Sequence, residues 1–524
     1  MMAKISKLQK TIAGGAIIIA LFSVLSRLLG LFRDRLLGST FGAGQTLDAY
    51  YAAFRLPDLI FNTLILGALS SAFIPIFLKY WDKDKEEAWK ITNSVLNILL
   101  LIVITLGLVA FIFAPSVIKY LVPGFDLETQ SLTISLTRIM LIGILFFTCS
   151  NIASSVLNSF RRFLAYSLAP LMYNLGIIFG ILVLVPKTSL GLNGLAWGVV
   201  LGSLGHFLIQ IPALLKVGYR WKPIIKSHPA IKRIITLMLP RCFGLAVSQL
   251  NFVVTTLIAS TIAIGAVAIY SLAFNLFNVP IGIFGISLAI SIFPVLSKSF
   301  AAGDKKIFVS QLSKTICRIL YLIIPITVVY LALRTQIVRL ILGAGVFSWR
   351  DTVLTASTLG FFSISLLAQS LIPLFSRAFY ATHDTLTPVK IAIVSFIINI
   401  VGCLVLGSLV GIGGLALAFS LASFVNLILL YYFFNKKALP LPNKKLRRSF
   451  LRAVGLSVIM LVIIQLSKNL VGSLVDMQTF IGVSVQTIIA GTIGLLFYFV
   501  ASLLLHFPEV EIIKQFLKRK FKKI

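Results

Sequence analysis

Fourteen stretches of this chain are apolar for about the length of a bilayer crossing, and that leaves few folds open. A hydrocarbon core about 30 Å thick takes about 20 residues of helix, and lipid offers no partner to an unpaired backbone group. The stretches run over about 12–37, 47–79, 91–114, 131–156, 163–186, 190–215, 234–261, 266–297, 315–334, 352–377, 385–408, 411–435, 450–468 and 479–506. Mean hydropathy is +1.03 and 12% of residues are charged, so the expected fold is an all-α membrane protein of fourteen transmembrane helices.

The net charge of +32 would suggest nucleic acid in a soluble protein. Here the basic residues sit in short loops, without the basic, aromatic-studded soluble face that nucleic acid needs. With fourteen spans, 34 of the 47 Lys and Arg fall on the side of the N-terminus and 8 on the other. That asymmetry predicts both termini in the cytoplasm, with membrane lipids as partners of the basic loops. Lys4, Lys7 and Lys10 precede an apolar run that continues into charged sequence rather than a cleavage site. Cys149, Cys242, Cys317 and Cys403 read as packing residues. The four histidines lack metal spacing, and there is no Walker motif, so no metal, cofactor or catalytic set is expected.

An internal repeat at an offset of about 220 organises the chain. Ala52-Ala-Phe-Arg55 is matched by Leu272-Ala-Phe-Asn275, and Pro75 by Pro294. Ile118-x-x-Leu121-x-x-Gly124 recurs as Ile337-x-x-Leu340-x-x-Gly343, and Gly191-Leu-Asn-Gly194 as Gly411-Ile-Gly-Gly414. This predicts two six-helix lobes, 1–217 and 218–437, related by a pseudo-two-fold axis along the membrane normal, with a substrate path between them. Residues 438–524 add two helices, a basic linker and a C-terminal tail.

The exception to apolarity is 26–75, which carries Arg27, Arg33, Asp34, Arg35, Asp48, Arg55 and Asp58. An ionisable group at membrane depth costs roughly 2.5–3.5 kcal/mol on insertion scales and normally faces a partner or a watery cavity. Ser23, Ser26, Arg27, Gly30, Arg33 and Asp34 recur at helical steps and form one stripe; Asp48, Arg55, Asp58 and Asn62 form another. The plainer reading is that Arg27–Asp34 and Arg55–Asp58 are ion pairs that only fix packing. The surplus of arginine favours a functional one, because a guanidinium fork suits a phosphate. At the repeat offset Arg55, Asp58 and Asn62 become Asn275, Asn278 and Gly282, so the positive charge is expected mainly on lobe one.

Ser26-Arg27-x-x-Gly30-x-x-Arg33-Asp34, Phe41-Gly-Ala-Gly44, Asp48-Ala49, Phe54-x-Leu56-Pro57 and Ala72-Phe73-x-Pro75 resemble the signature of the MurJ/MviN lipid II flippases, within the multidrug/oligosaccharidyl-lipid/polysaccharide exporter superfamily. Pro240-Arg241-x-x-Gly244 and Phe293-Pro294 are also similar to that family. The resemblance implies alternating access that carries a lipid-linked peptidoglycan precursor from the cytoplasmic to the outer leaflet of the bacterial plasma membrane. It implies substrate contacts from Ser26, Arg27, Arg33, Arg55, Arg241 and Asn275, and cavity carboxylates at Asp34, Asp48 and Asp58. The partner would be a polyprenyl-pyrophosphate-linked glycan, with Na+, H+ or the membrane potential as candidate energy source. Family arginines fall at Phe61 and Asn275 here, and a family acid at Leu66, which keeps a flippase for another such glycan as the alternative.

Two rivals are weaker. A drug exporter should present an acidic cavity. A membrane enzyme would need acids in its outer loops, where the sequence offers Asp126, Glu128 and Asp351.

Overall fold

The computed structural model describes residues 12–66 and 73–510, with the side chains of a few further residues also left undescribed. All regular elements among the described residues are helices. Helix α1 is Ile12–Phe41; α2 is Gln45–Ala53, α3 Arg55–Phe61 and α4 Ile74–Trp81. Then come α5 (Lys85–Leu121), α6 (Leu127–Ser159), α7 (Phe163–Lys187), α8 (Asn193–Lys216), α9 (Pro229–Ile262), α10 (Ala266–Ala301) and α11 (Lys305–Ile341). The remainder is α12 (Trp349–Ile364), α13 (Leu366–Ala381), α14 (Leu386–Val410), α15 (Ile412–Lys437), α16 (Asn443–Gly472) and α17 (Phe480–Leu504).

Among the described residues eleven helices are long and apolar enough to cross a membrane, or twelve if α12 and α13, bent by 45°, form one span. The first two expected spans, α1 and the interrupted α2–α4, lie outside that count. The second expected span is not one helix. It breaks at Phe54 and passes into a π-helical turn over 62–66. A second π-helical turn, 281–286, interrupts α10 at the repeat-equivalent place. Such turns widen a helix locally and recur where side chains must be re-aimed.

Scarce acids start several of these helices. Asp84 accepts from the N–H groups of Glu86 and Glu87, Asp126 from Thr129 and Asp304 from Ile307. Ser348 and Asp351 form a reciprocal capping box on α12. Each cap stabilises its helix by about 1 kcal/mol. Two of the three acids open to the enzyme reading, Asp126 and Asp351, are thus helix caps. The hydroxyl and N–H of Thr129 hold Asp126 below the usual carboxylate range.

The chain packs as two units, the first comprising 1–268 with 344–347 and the second 269–343 with 348–524. Helix α9 follows the expected lobe boundary at 217/218 but packs in unit one, where it contacts α3, the π turn and α5. The connection leading into α9 is pinned to α5. Asn93 binds the Arg220 carbonyl at 3.1 Å, and Asn97 those of Lys222 and Ile224 at 2.8 and 2.9 Å. A repeat follows sequence similarity and a packing unit follows contacts, so the two divisions differ. In unit two, α16 and α17 dock on α11, where the Tyr498 hydroxyl donates to the Tyr321 carbonyl at 3.0 Å.

In unit one, α7 and α8 meet backbone to backbone. Gly176 and Gly180 face Gly198 and Gly202, and a Cβ on Gly176 would lie 2.2 Å from the Gly202 Cα. Small residues four apart permit this approach, which is how helices associate where no hydrophobic effect drives them together. A Cβ on Gly202 would lie 2.5 Å from the Tyr173 carbonyl oxygen. Gly202→Ala is therefore expected to push α7 outward at Tyr173 and to cost about 1–3 kcal/mol. Thermal unfolding of the purified protein checks this; an unchanged midpoint would contradict the seam.

Candidate functional site

The polar stripe of α1 lies against α7, and Asn174 is the hinge of the contact. Gly30 borders it: a Cβ there would meet the Asn174 side-chain oxygen at 3.7 Å, an ordinary contact. Asn174 Nδ2 donates to the Ser26 carbonyl and hydroxyl at 3.3 and 3.4 Å and to the Pro170 carbonyl at 3.1 Å. Its Oδ1 accepts from Arg33 Nη1 at 3.1 Å.

Arg33 also donates to its neighbour. Nε and Nη2 reach Asp34 Oδ1 at 3.0 and 2.7 Å, with the Asp34 side chain 4% exposed and that of Arg33 19%. Tyr50, Tyr51 and Tyr173 lie within electrostatic reach of this pair. Among the described residues the buried hydroxyl of Tyr51 has no hydrogen-bond partner, an unusual state for a phenol.

Helix α3 carries the second group. Arg55 Nε donates to the Thr256 hydroxyl of α9 at 2.7 Å, and its guanidinium lies 5.5 Å from the Phe252 ring centre. Asp58 is half-buried within electrostatic reach of Arg55 and Tyr173. Arg27 is half-buried on α1. Unit one therefore brings together Ser26, Arg33, Asp34, Arg55 and Asp58 with five residues the sequence reading passed over: Tyr50, Tyr51, Tyr173, Asn174 and Thr256.

Asp48 stands apart from that group. It is 1% exposed, and its two oxygens accept from the backbone N–H groups of Gly265 at 2.6 Å and Ala268 at 2.8 Å. It thus caps the start of α10, whose residues 266–268 pack in unit one. In unit two Asn275 is half-buried, and its neighbour Asn278 donates back to the Phe274 carbonyl at 2.8 Å. The side chains of Arg241 and Leu66 lie outside the described residues. No group of three or more His, Cys, Asp or Glu among the described residues is placed to hold a metal ion.

The chain matches the family model described as lipid II flippase MurJ over residues 37–486. It belongs to the MurJ family. The lipid II flippase MurJ of Burkholderia cenocepacia is 30% identical over 449 residues, covering 84% of this chain and 87% of that protein. A probable lipid II flippase MurJ of Thermotoga maritima is 29% identical over 506 residues, covering 97% and 98%. A solved structure of the lipid II flippase MurJ in an inward closed conformation superposes with a TM-score of 0.78 at 28% identity, covering 94% of this chain and all of that one. A MATE transporter of the MOP superfamily, 15% identical with a TM-score of 0.67, shares the fold. The chain is accordingly a multi-pass bacterial membrane protein of the MurJ family.

Ser26, Arg33 and Asp34 of the α1 motif Ser-Arg-x-x-Gly-x-x-Arg-Asp lie in one hydrogen-bonded network with Asn174. Phe61, where a MurJ arginine is expected, lies 5.2 Å from the Phe147 ring centre in a tilted aromatic pair beside the first unit's core.

Proposed function

We propose that this protein flips lipid II, as its relatives' names describe, and that it does so from the cytoplasmic to the outer leaflet by alternating access. The observation that carries the reading is the grouping of Arg33 and Arg55 with Asp34 and Asp58 on α1 and α3 of unit one, with Arg27 half-buried on the same α1. A pyrophosphate offers several charged acceptors, and each charge-assisted bond contributes about 1.5–3 kcal/mol. Arg27 and Arg55 would hold it, joined by Arg241. Arg33 would be aimed by Asp34 and Asn174, and the buried Tyr51 hydroxyl would find its partner in bound substrate. Asn275 would contact the head group from the second repeat. Asp34 and Asp58 would orient the arginines or answer to Na+, H+ or the membrane potential.

The moving parts would be the repeat-related halves 1–217 and 218–437, with residues 438–524 supplying the helix pair that takes the polyprenyl tail. The termini would be cytoplasmic, as the basic loops require. The protein would carry its substrate without chemical change, so it would not be an enzyme. Phe61 in place of an arginine supports a second reading, in which another polyprenyl-pyrophosphate glycan is the cargo.

The test is complementation in bacterial cells depleted of their own lipid II flippase. The wild-type chain should sustain wall synthesis. Arg27→Ala and Arg55→Ala should each lower the flipping rate by roughly 10–100-fold, the equivalent of one lost charge-assisted contact. Flipping at the normal rate by Arg27→Ala would sink the assignment of that residue. Failure of the folded wild type to complement would favour the second reading.

A further inference from the structure

Arg138 lies in the α6 span and faces Phe111 of α5. Its position follows from a proline. Pro115 has no N–H, so the Phe111 carbonyl one turn earlier in α5 loses its helical partner. Arg138 Nε supplies the missing donor at 3.1 Å, and its guanidinium lies 4.9 Å from the Phe111 ring centre. That uses one of five N–H donors. Among the described residues neither Nη group has a protein hydrogen bond, and no carboxylate pairs with the charge.

These free donors border an open cavity, a surface groove of about 360 Å3 lined by Phe111, Ser131, Ile134, Ser135, Arg138 and Ile142. Ser131, Ser135 and Arg138 share one face of α6. Ser135 donates to Asn193 Oδ1 at 2.8 Å, which leaves its oxygen as an acceptor, and Ser131 is exposed. Close by on α5, Leu108, Ile112 and Phe113 are exposed at 58, 64 and 56%. In a membrane protein such residues meet acyl chains. Arg138 sits roughly 16 Å along α6 from Leu127, at 1.5 Å per residue. A head group held there keeps its tails on the apolar flank of α5.

We propose that this cavity is a binding site for the phosphate of an anionic phospholipid, with Arg138 as its charge partner and Ser131 as a further donor. A lipid of net charge −1 neutralises the guanidinium, which a zwitterionic lipid does not. The site is independent of the transport reading: it concerns a resident lipid on the flank of α5 and α6.

Native mass spectrometry of protein released from nanodiscs of mixed phosphatidylglycerol and phosphatidylcholine tests it. The wild type should retain one phosphatidylglycerol in preference to phosphatidylcholine. Arg138→Gln should lower the ratio of lipid-bound to lipid-free protein at least about fivefold, and Arg138→Lys less. Lys119→Gln, at the exposed end of α5, should leave the ratio unchanged. Should Arg138→Gln not fold, Ser131→Leu fills the cavity without touching the arginine and should lose the lipid as well. Equal retention of the two lipids by the wild type overturns the proposal, as does unchanged retention in Arg138→Gln or, where that variant does not fold, in Ser131→Leu. Displacement by inorganic phosphate overturns the lipid assignment.

Discussion

Replacing Arg33 and Asp34 together by leucine will restore the stability that either single replacement removes, and will not restore flipping. Arg33→Leu leaves the Asp34 carboxylate, 4% exposed, without the two guanidinium bonds that balance it. Stranding one partner of a buried pair costs about 3–5 kcal/mol, whereas replacing both by apolar groups is often neutral. The single variants should therefore express poorly and melt early. The double variant should melt near the wild type, with a modest deficit because Asn174 Oδ1 loses its donor. If the pair only braces α1, the double variant will also complement a flippase-depleted strain. If Arg33 is aimed at cargo, complementation will fail although the protein is folded. Melting midpoint and complementation measured on the same three variants separate the two roles.

The apolar spans were legible because bilayer thickness sets a length that few other folds demand. The breaks in the second span were less so. The helix 55–61 and the π turn at 62–66 pack against α9, a partner far away in sequence that the span's own residues do not reveal. The charged stripes were legible from helical spacing, but the residues that complete them were not. Asn174, Tyr173 and Thr256 are far from Arg33 and Arg55 in sequence, and an asparagine or a tyrosine in an apolar span carries no pattern of its own. Two signals were present and unused. Gly176-x-x-x-Gly180 and Gly194-x-x-x-Gly198-x-x-x-Gly202 mark a close helix contact. Ser348-x-x-Asp351 is a capping box, which accounts for an acid otherwise open to a catalytic reading.

Asp48 makes the sharpest distinction between a structural carboxylate and a transport one. Both of its oxygens are engaged by backbone N–H groups at the start of α10, where unsatisfied donors and the helix dipole favour a negative charge. The surroundings hold it there. Gly265 has φ of +85°, and a Cβ on it would lie 2.0 Å from the Ala43 carbonyl oxygen, so this corner has no slack. Asp48→Ala leaves two buried N–H groups without acceptors, at about 1–3 kcal/mol each, and should abolish complementation with a large fall in melting midpoint. Asp48→Asn keeps one acceptor and turns an amide N–H2 against the other donor, so it should fall between alanine and the wild type. A carboxylate that binds Na+ or H+ during transport would behave otherwise. Its amide variant would fold normally and lose the dependence of flipping on pH or sodium. A cap predicts the reverse: residual flipping by Asp48→Asn keeps the wild-type ion dependence, and the loss appears in stability. Flipping rates across a range of pH and Na+ concentration, set beside melting curves for Asp48→Asn, decide between them. A normal melting curve with altered ion dependence would return Asp48 to the transport cycle.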